Sequence, residues 1–174
     1  EKAEQDIIAS HPQQRAPSIL ILPPVNKSGT PVAGPIFEMT LNRQFIERGY
    51  YVYPLLATKV LLRENGLKAV DSQAAAPAFL NQLTGADAFL YVTITEWVNT
   101  GVVVPSVRVG AEYRLIDATG REMWNAATSG EFGTTVTGGL YVTTKDLRVP
   151  ARMITQQAIK ASRGGLPYGP YRQE

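Results

Sequence analysis

Gly85-Ala-Asp-Ala-Phe-Leu-Tyr-Val-Thr-Ile-Thr-Glu-Trp97 is the stretch of sequence that decides the fold. From Ala88 onward, aliphatic residues alternate with aromatic residues and threonines, which is the period-two pattern of a β-strand. A second alternating stretch runs from Val107 to Leu115, and Asp117-Ala-Thr-Gly120 is a turn that leads into a return strand over Glu122 to Phe132. This half of the chain therefore predicts an antiparallel meander with one polar face.

The sequence before this meander predicts two more strands with a helix between them. Ser18-Ile-Leu-Ile-Leu22 is an apolar run ended by two prolines, as expected for a strand buried on both faces. Residues 25–35, rich in Pro, Gly, Ser and Asn, predict a loop. A helix is expected from Pro35 to Arg48 and a strand from Tyr50 to Tyr53. The apolar stripe of that helix comprises Ile36, Phe37, Leu41, Phe45 and Ile46.

Shorter helices complete the predicted fold. Thr58 is expected to cap a helix over Lys59 to Glu64, and Pro77 to open another that reaches Leu83. A last helix, from Leu147 to Ala161, has a narrow face of mostly small apolar residues. The sequence thus predicts a single layered domain of the α/β (α+β) class, with helices packed on a mixed sheet of about five strands. We expect a polar tether over residues 1–17, the domain over 18–162 and an irregular tail over 163–174.

The composition argues against several classes of function. With 44% hydrophobic and 18% charged residues among 174, the chain is typical of one globular domain. The net charge of +2, with 17 basic residues spread among 15 acidic ones, does not favour nucleic-acid binding. The sequence has no cysteine, which excludes disulfides, thiolate metal sites and cysteine nucleophiles within it. It also has no run of 18 apolar residues that could span a membrane.

The residues that could carry catalysis do not form a familiar pattern. His11 is the single histidine and lies in the tether, so a zinc site is not expected. Gly29-Thr-Pro-Val-Ala-Gly34 has the glycine spacing of a phosphate-binding loop, but Pro35-Ile36 replaces the Lys and Ser/Thr that grip phosphate and magnesium. Asp87 enters a buried strand, and we interpret it as a loop cap. We therefore expect a non-enzyme that uses no metal and no cofactor.

One alternative is a small-ligand-binding or hydrolytic domain. Loops over residues 25–34, 54–58 and 84–87 lie next to predicted strands, and α/β sheets often hold ligands at strand ends. This function requires the three loops to meet in one cleft. Its polar groups would be Asn26, Lys27 and Asp87.

Several motifs in a fixed order resemble those of one protein family. They are Pro17-Ser-Ile-Leu-Ile-Leu-Pro-Pro-Val-Asn-Lys-Ser28, Glu47-Arg-Gly-Tyr-Tyr-Val-Tyr-Pro54, the Gly85–Trp97 stretch, Leu115-Ile-Asp-Ala118 and Trp124. Over residues 17–160 the chain is similar to a family of Gram-negative outer-membrane lipoproteins of unknown function, one of which came from a surface-antigen vaccine screen. The fold of that family resembles the amino-terminal domain of TolB. It also resembles the periplasmic domains of CsgG-type secretion lipoproteins and LpoB-type activators of cell-wall synthases.

The resemblance implies a location and a mode of action. It implies a periplasmic domain anchored to the outer membrane by a lipid, on a cysteine upstream of Glu1. It also implies a scaffold or an assembly or secretion accessory that works through contacts with envelope proteins. It offers no catalytic residues, and it leaves the identity of the partner open.

Apolar and aromatic residues in predicted loops indicate contact surfaces and a homodimer. One such segment is Gly101-Val-Val-Val104, and another is the loop over Gly133 to Thr144, which is longer than most connections in compact domains. The tail places tyrosines around Gly169-Pro170, which favours an extended shape that a partner's groove can bind. Alternatively, the segment Gly101–Val104 forms a strand extension, the loop over Gly133 to Thr144 forms a lid over the core or a mobile hairpin, and the tail is disordered. The candidate interface residues are Val102, Val103, Leu140, Tyr141, Tyr168 and Tyr171.

Overall fold

The computed structural model describes residues 18–99, 106–133, 135–137, 140–142, 146–161, 163–169 and 171, with the backbone alone described for 135–137 and 140–142. In chain order its elements are β1 (Ser18–Ile21), β2 (Val25–Asn26), α1 (Ala33–Glu47), β3 (Tyr51–Val52), α2 (Leu55–Glu64), α3 (Ala69–Ala74), α4 (Pro77–Thr84), β4 (Ala88–Asn99), β5 (Ser106–Asp117), β6 (Glu122–Gly133), β7 (Thr135–Thr137), β8 (Leu140–Val142) and α5 (Arg148–Lys160). The tether predicted over residues 1–17 lies outside the described residues.

One open sheet forms the frame of the domain. Its strands lie in the order β3-β1-β4-β5-β6, and β2 pairs with β4 beyond the end of β1. β1 runs parallel to both β3 and β4, whereas β4, β5 and β6 form the antiparallel meander that the alternating sequence predicts. The predicted mixed sheet in a layered α+β domain is thus confirmed, with β2 as an additional short strand.

Helices cover the two faces of the sheet unequally. On one face α1 and α5 pack over a core that spans all the long strands. On the other face a smaller cluster joins the sheet to α2 and α4, and it reaches no farther across the sheet than β4. β1 is buried on both faces, as its apolar sequence predicts. The smaller cluster consists of Leu20, Leu22, Leu62, Leu80, Ala86 and Phe89.

Most of the apolar stripe predicted for the long helix α1 is buried, as expected. Phe37, Leu41 and Phe45 are fully buried, but Ile46 lies on the solvent side and is 53% exposed. The helix begins at Ala33, which places Pro35 in its first turn. Proline is tolerated there because the N–H that it lacks would have no partner within the helix.

Three predictions for the first half of the chain need correction. Residues 25–35 are not entirely a loop, because Val25 and Asn26 pair with Thr93 and Ile94 of β4. Thr58 does not cap a helix: α2 begins at Leu55, and the buried Thr58 hydroxyl donates to the Pro54 carbonyl within the first turn. The short helix α3 has no counterpart in the sequence prediction, since six residues are too few to show a clear helical period.

The predicted loop over Gly133 to Thr144 contains a small hairpin. β7 and β8 pair antiparallel, with Thr137 opposite Leu140, as a two-stranded sheet of their own. Threonine, valine and tyrosine favour strands, and Gly-Gly between two such runs is a typical two-residue hairpin connection. The sequence prediction gave this local signal too little weight.

The sheet has two ends that organise the rest of the molecule. At the Ser18 end, Ser18 lies opposite Tyr51, Ala88 lies opposite Asp117, and β6 begins. At the Asn99 end, β4 ends, β5 begins at Ser106, and β6 leads into the β7–β8 hairpin.

Candidate interaction surface

Asp87 holds the Ser18 end of the sheet together. Its Oδ2 accepts hydrogen bonds from the backbone N–H and the hydroxyl of Ser18, each at 2.9 Å. The Asp87 N–H in turn donates to the Ser18 carbonyl at 3.1 Å. The carboxylate therefore joins the starts of β1 and β4, which is the structural role that the sequence analysis assigns to it.

Asn26 organises a turn at the other end of the sheet. Its Oδ1 accepts from the N–H and the hydroxyl of Ser28, and its Nδ2 donates to the Thr30 carbonyl at 2.7 Å. The Thr30 hydroxyl then donates to the Trp97 carbonyl on β4 at 2.9 Å. The amide is thus occupied in fixing the connection from β2 to α1. Lys27, between these turn residues, is exposed.

The three loops of the alternative ligand site do not meet. Asn26 lies opposite Ile94, seven residues along β4 from Asp87, which corresponds to about 23 Å of extended strand. The loop after β3 does approach the loop before β4, since the Tyr53 hydroxyl donates to the Thr84 carbonyl at 3.2 Å. Asn26, Lys27 and Asp87 therefore form no common cleft.

Several other carboxylates in the described chain are occupied by structural contacts. Glu38 pairs with Lys59 at 2.7 Å across α1 and α2. The Thr119 hydroxyl, together with Arg121, lowers the pKa of Asp117 to about 2, and Arg148 does the same for Asp146. Among the described residues no group of three or more His, Cys, Asp or Glu side chains could hold a metal ion. His11 lies outside those residues.

The tyrosines of the tail lie at the Ser18 end. The Tyr168 ring is 54% exposed and stacks beneath Arg48, whose guanidinium carbon is 3.6 Å from the ring centre. The Tyr171 side chain is 62% exposed, and its N–H donates to the Gly49 carbonyl at 3.0 Å. Tyr171, Tyr51 and Ile46 line an open depression of about 520 Å³. The tail thus presents aromatic surface while its backbone is attached to the domain.

The other four predicted interface residues do not lie in the tail. Leu140 and Tyr141 lie in β8, of which the backbone is described and which follows β6 in the chain. Val102 and Val103 lie outside the described residues, in the part of the sequence between β4 and β5. Of the six candidate residues, the structure therefore places the side chains of Tyr168 and Tyr171.

The face of β5 and β6 that points away from α1 and α5 is polar, as the alternation predicts. Arg108 lies between Glu96 and Glu131, at 3.6 and 3.7 Å, and Arg114 bonds to Glu122 at 3.0 Å. Hydrogen bonds from Asn125 and Arg114 lower the pKa of Glu122. The smaller helical layer does not extend over these two strands. This half of the sheet is an open surface with balanced charge.

The sequence patterns do not predict that β6 forms the outer edge of the sheet. Within the described residues β6 pairs with β5 and has no strand on its other side. Strand order is a long-range property, so the sequence of the meander does not reveal which of its strands ends the sheet. A usable signal is nevertheless present: the strand is twelve residues long and contains no Lys, Arg or Pro to protect an edge.

Comparison with known proteins assigns the family. The family model described as "Putative lipoprotein GNA1162-like" matches residues 7–145. The chain belongs to the GNA1162-like lipoprotein family. It is 33% identical over 132 residues to the "Putative lipoprotein NMB1124/NMB1162" of Neisseria meningitidis serogroup B. That alignment covers 74% of the chain and 61% of the relative, so the chain spans about three fifths of the curated relative's length.

Solved structures support the same assignment. Lipoprotein GNA1162 from Neisseria meningitidis is 32% identical, with a TM-score of 0.62, over 70% of this chain and 88% of that one. The PelC dodecamer from Paraburkholderia phytofirmans shares the fold at 16% identity, with a TM-score of 0.53 over 82% and 86% of the two chains. The predicted membership of a lipoprotein family of unknown function and the predicted α+β fold class are thereby confirmed, whereas the likeness to TolB and the outer-membrane location stay predictions. In the described part of this GNA1162-like chain, no helix is long and apolar enough to cross a bilayer.

Proposed function

We propose that this domain is the periplasmic part of a lipoprotein anchored to the outer membrane. It acts there as a non-catalytic scaffold or assembly accessory through contacts with other envelope proteins. Membership of a lipoprotein family supports the lipid anchor. Attachment through an upstream acylated cysteine would keep the domain at the membrane surface without a membrane-spanning segment.

The observation that carries this proposal is the unequal covering of the sheet. α2 and α4 cover the second face from β3 to β4, whereas β5 and β6 present an open polar face there. The polar groups proposed for a ligand site are instead occupied by bonds within the fold, as with Asp87 and Ser18. Extended, charge-balanced surface suits protein contacts better than catalysis.

Two further observations support an assembly role. The PelC relative in fold is a dodecamer, so this architecture is compatible with assemblies of many copies. In this chain, the β7–β8 hairpin follows β6 in the sequence, and its second strand contains Leu140 and Tyr141. We therefore propose that the hairpin and the open face of β5 and β6 contact envelope partners.

Site-specific photocrosslinking in intact envelopes tests this function. The full-length precursor would carry a photoreactive residue at Glu112 on the open face, at Tyr141 in β8, or at Leu56 on α2. Leu56 is the matched control, because it is 76% exposed but belongs to the helical layer. We expect protein crosslinks from the first two positions and not from the third.

The same precursor would be labelled with a radioactive fatty acid and fractionated. We expect the label in the chain and the protein with the outer membrane. An unlabelled or cytoplasmic protein would contradict the anchor. Anchored protein that forms no crosslink from Glu112 or Tyr141, or that crosslinks equally from Leu56, would contradict the proposed contact surface.

A further inference from the structure

The inward-facing residues of the edge strand β6 are less buried than those of β5. On β5, the residues facing α5 are nine-tenths or more buried, from Val107 to Leu115. On β6, Trp124 is buried, but the inward-facing residues that follow it are half-buried. Phe132 packs against the core from one side and is partly exposed on the other. Another strand beside β6 would bury this surface.

Within the described residues, the edge also lacks several of the features by which proteins prevent strand addition. Natural edges are protected by shortness, lysine, proline, bulges or a covering element. β6 pairs with β5 in unbroken register over ten residues, from Trp124 to Gly133, and carries neither basic residues nor proline. A bulge-like shift occurs only at its start, near Glu122.

The sequence of β6 is nearly symmetric about Thr128. On the inner face the order is large, small, medium, small, large. On the outer face two small residues are flanked by a polar residue at each end. The inner residues are Trp124, Ala126, Thr128, Gly130 and Phe132, and the outer ones are Asn125, Ala127, Ser129 and Glu131.

We propose that β6 pairs antiparallel with β6 of a second copy, across a two-fold axis at Thr128. This inference rests on the proposed function, a domain that acts through protein contacts. A two-fold contact brings the same strand of both copies together, so a strand with a symmetric sequence is self-complementary. The axis sets Ala127 opposite Ser129, and Trp124 opposite Phe132, of the second copy. The two half-sheets then join into one continuous sheet, with backbone hydrogen bonds across the junction.

Charge is complementary in this register. The charged residues of β6 are Glu122 and Glu131. Pairing about Thr128 sets Glu131 opposite Asn125, whose amide can donate to the carboxylate, and sets Glu122 beyond the end of the facing strand. No two glutamates meet in this register. Like charges directly opposite each other destabilise a strand pair, and pairing about Thr128 avoids them.

Light scattering of the eluted 174-residue chain at micromolar concentration tests the pairing. The parent chain of 19.0 kDa is expected to show twice that mass. The double change Ala127→Lys with Ser129→Lys sets lysine opposite lysine twice across the axis, and a return to the single mass is expected. The double change Ala127→Lys with Ser129→Glu sets each lysine opposite a glutamate, and the doubled mass is expected to persist.

Glu112→Lys is the control, because Glu112 is exposed on the same face but lies in β5, away from the edge. It should leave the doubled mass unchanged, and circular dichroism should show that all variants fold. A monomeric parent, a dimeric double-lysine variant, or equal masses for the two double variants would overturn the proposal. None of these results depends on the lipid anchor or on envelope crosslinks. A failure of the β6 pairing can therefore be distinguished from a failure of the proposed function.

Discussion

The β3 edge of the sheet is two residues long, whereas the β6 edge is twelve residues long and pairs with β5 alone within the described chain. In the turn before β3, the carbonyls of Arg48 and Gly49 accept hydrogen bonds from the N–H groups of Gly169 and Tyr171 of the tail. We call the β3 side the closed edge, because the tail is bonded to the turn that leads into this strand, and the β6 side the open edge. The difference indicates which edge is structural and which is available for contacts.

Several independent contacts hold the tail at the closed edge. Leu166 is 1% exposed within the main core, and its carbonyl accepts from the Arg48 guanidinium, with Nε at 2.7 Å. The Pro167 carbonyl accepts from the Tyr50 hydroxyl at 2.9 Å. Earlier in the tail, the Gly164 carbonyl accepts from the indole of Trp124 on β6 at 2.8 Å, so the tail runs from β6 to the turn before β3. In its described residues the tail predicted as irregular has no helix or strand, yet it completes the core.

Truncation after Gly165 is expected to have the largest effect on the closed edge. It removes the buried Leu166 side chain and leaves Arg48 and Tyr50 without their carbonyl acceptors. Loss of the leucine burial and of these bonds should lower the free energy of unfolding by about 3 kcal/mol. Urea denaturation measures this change. Tyr171→Ala is the control, since its side chain is mostly exposed, and a truncated chain as stable as this control would show that the tail does not close the edge.

Gly169→Ala should displace the tail through one methyl group. A Cβ at Gly169 would lie 2.1 Å from the Gly49 carbonyl oxygen, which is far inside van der Waals contact. We expect a loss of about 1–3 kcal/mol in unfolding free energy, as for other overpacked sites. The matched change Gly34→Ala adds the same methyl in α1, where the nearest atom is 4.0 Å away. Equal stability of the two variants would contradict the close approach of tail and domain.

Alkaline pH should lower the free energy of unfolding through Tyr50 at the closed edge, by less than either of the two changes above. Burial raises the pKa of Tyr50 above its ordinary value of 10.0, although the Arg48 charge opposes this shift. A pKa raised by folding stabilises the folded state below pH 10, and this contribution is lost as the pH rises through the folded-state pKa. Tyr50→Phe should cost about 1 kcal/mol at pH 7 through the lost bond to Pro167.

The Tyr50→Phe variant should then lose less stability than the parent between pH 9 and 11, measured as urea midpoints. Tyr113→Phe provides a comparison at a site far from the edge, because the Tyr113 hydroxyl is bonded to Thr155 at 3.0 Å and burial also raises its pKa. Parallel pH profiles for the parent and Tyr50→Phe would show that this hydroxyl does not contribute to the alkaline response.

The parts of the fold that the sequence predicted are those with local periodic signals. The alternation from Ala88 to Trp97 and the spacing of Phe37, Leu41 and Phe45 each report which face is buried, and the structure confirms both. Asp87 was also interpreted correctly, since a carboxylate entering a buried strand needs donors close by. These predictions depend on neighbours in sequence.

The parts that the sequence did not predict depend on distant partners. β2 is two residues long and is defined by its pairing with β4, some 68 residues later. The tail is irregular in sequence and becomes ordered by bonds to Arg48 and Gly49. Likewise, the tail tyrosines and the hairpin residues look alike in sequence, but bonds to distant residues hold the tail at the Ser18 end of the sheet. Their role as interface residues stays a prediction.

The position of Ser18 has a consequence for how far the domain reaches. Ser18 and the tail lie at the same end of the sheet, and β4 extends away from that end for twelve residues, or about 37 Å. With the proposed anchor before Ser18, the meander becomes a spacer longer than the roughly 30 Å hydrocarbon thickness of a bilayer. A partner that binds at the Asn99 end of the sheet would then contact the side of the domain away from its attachment point.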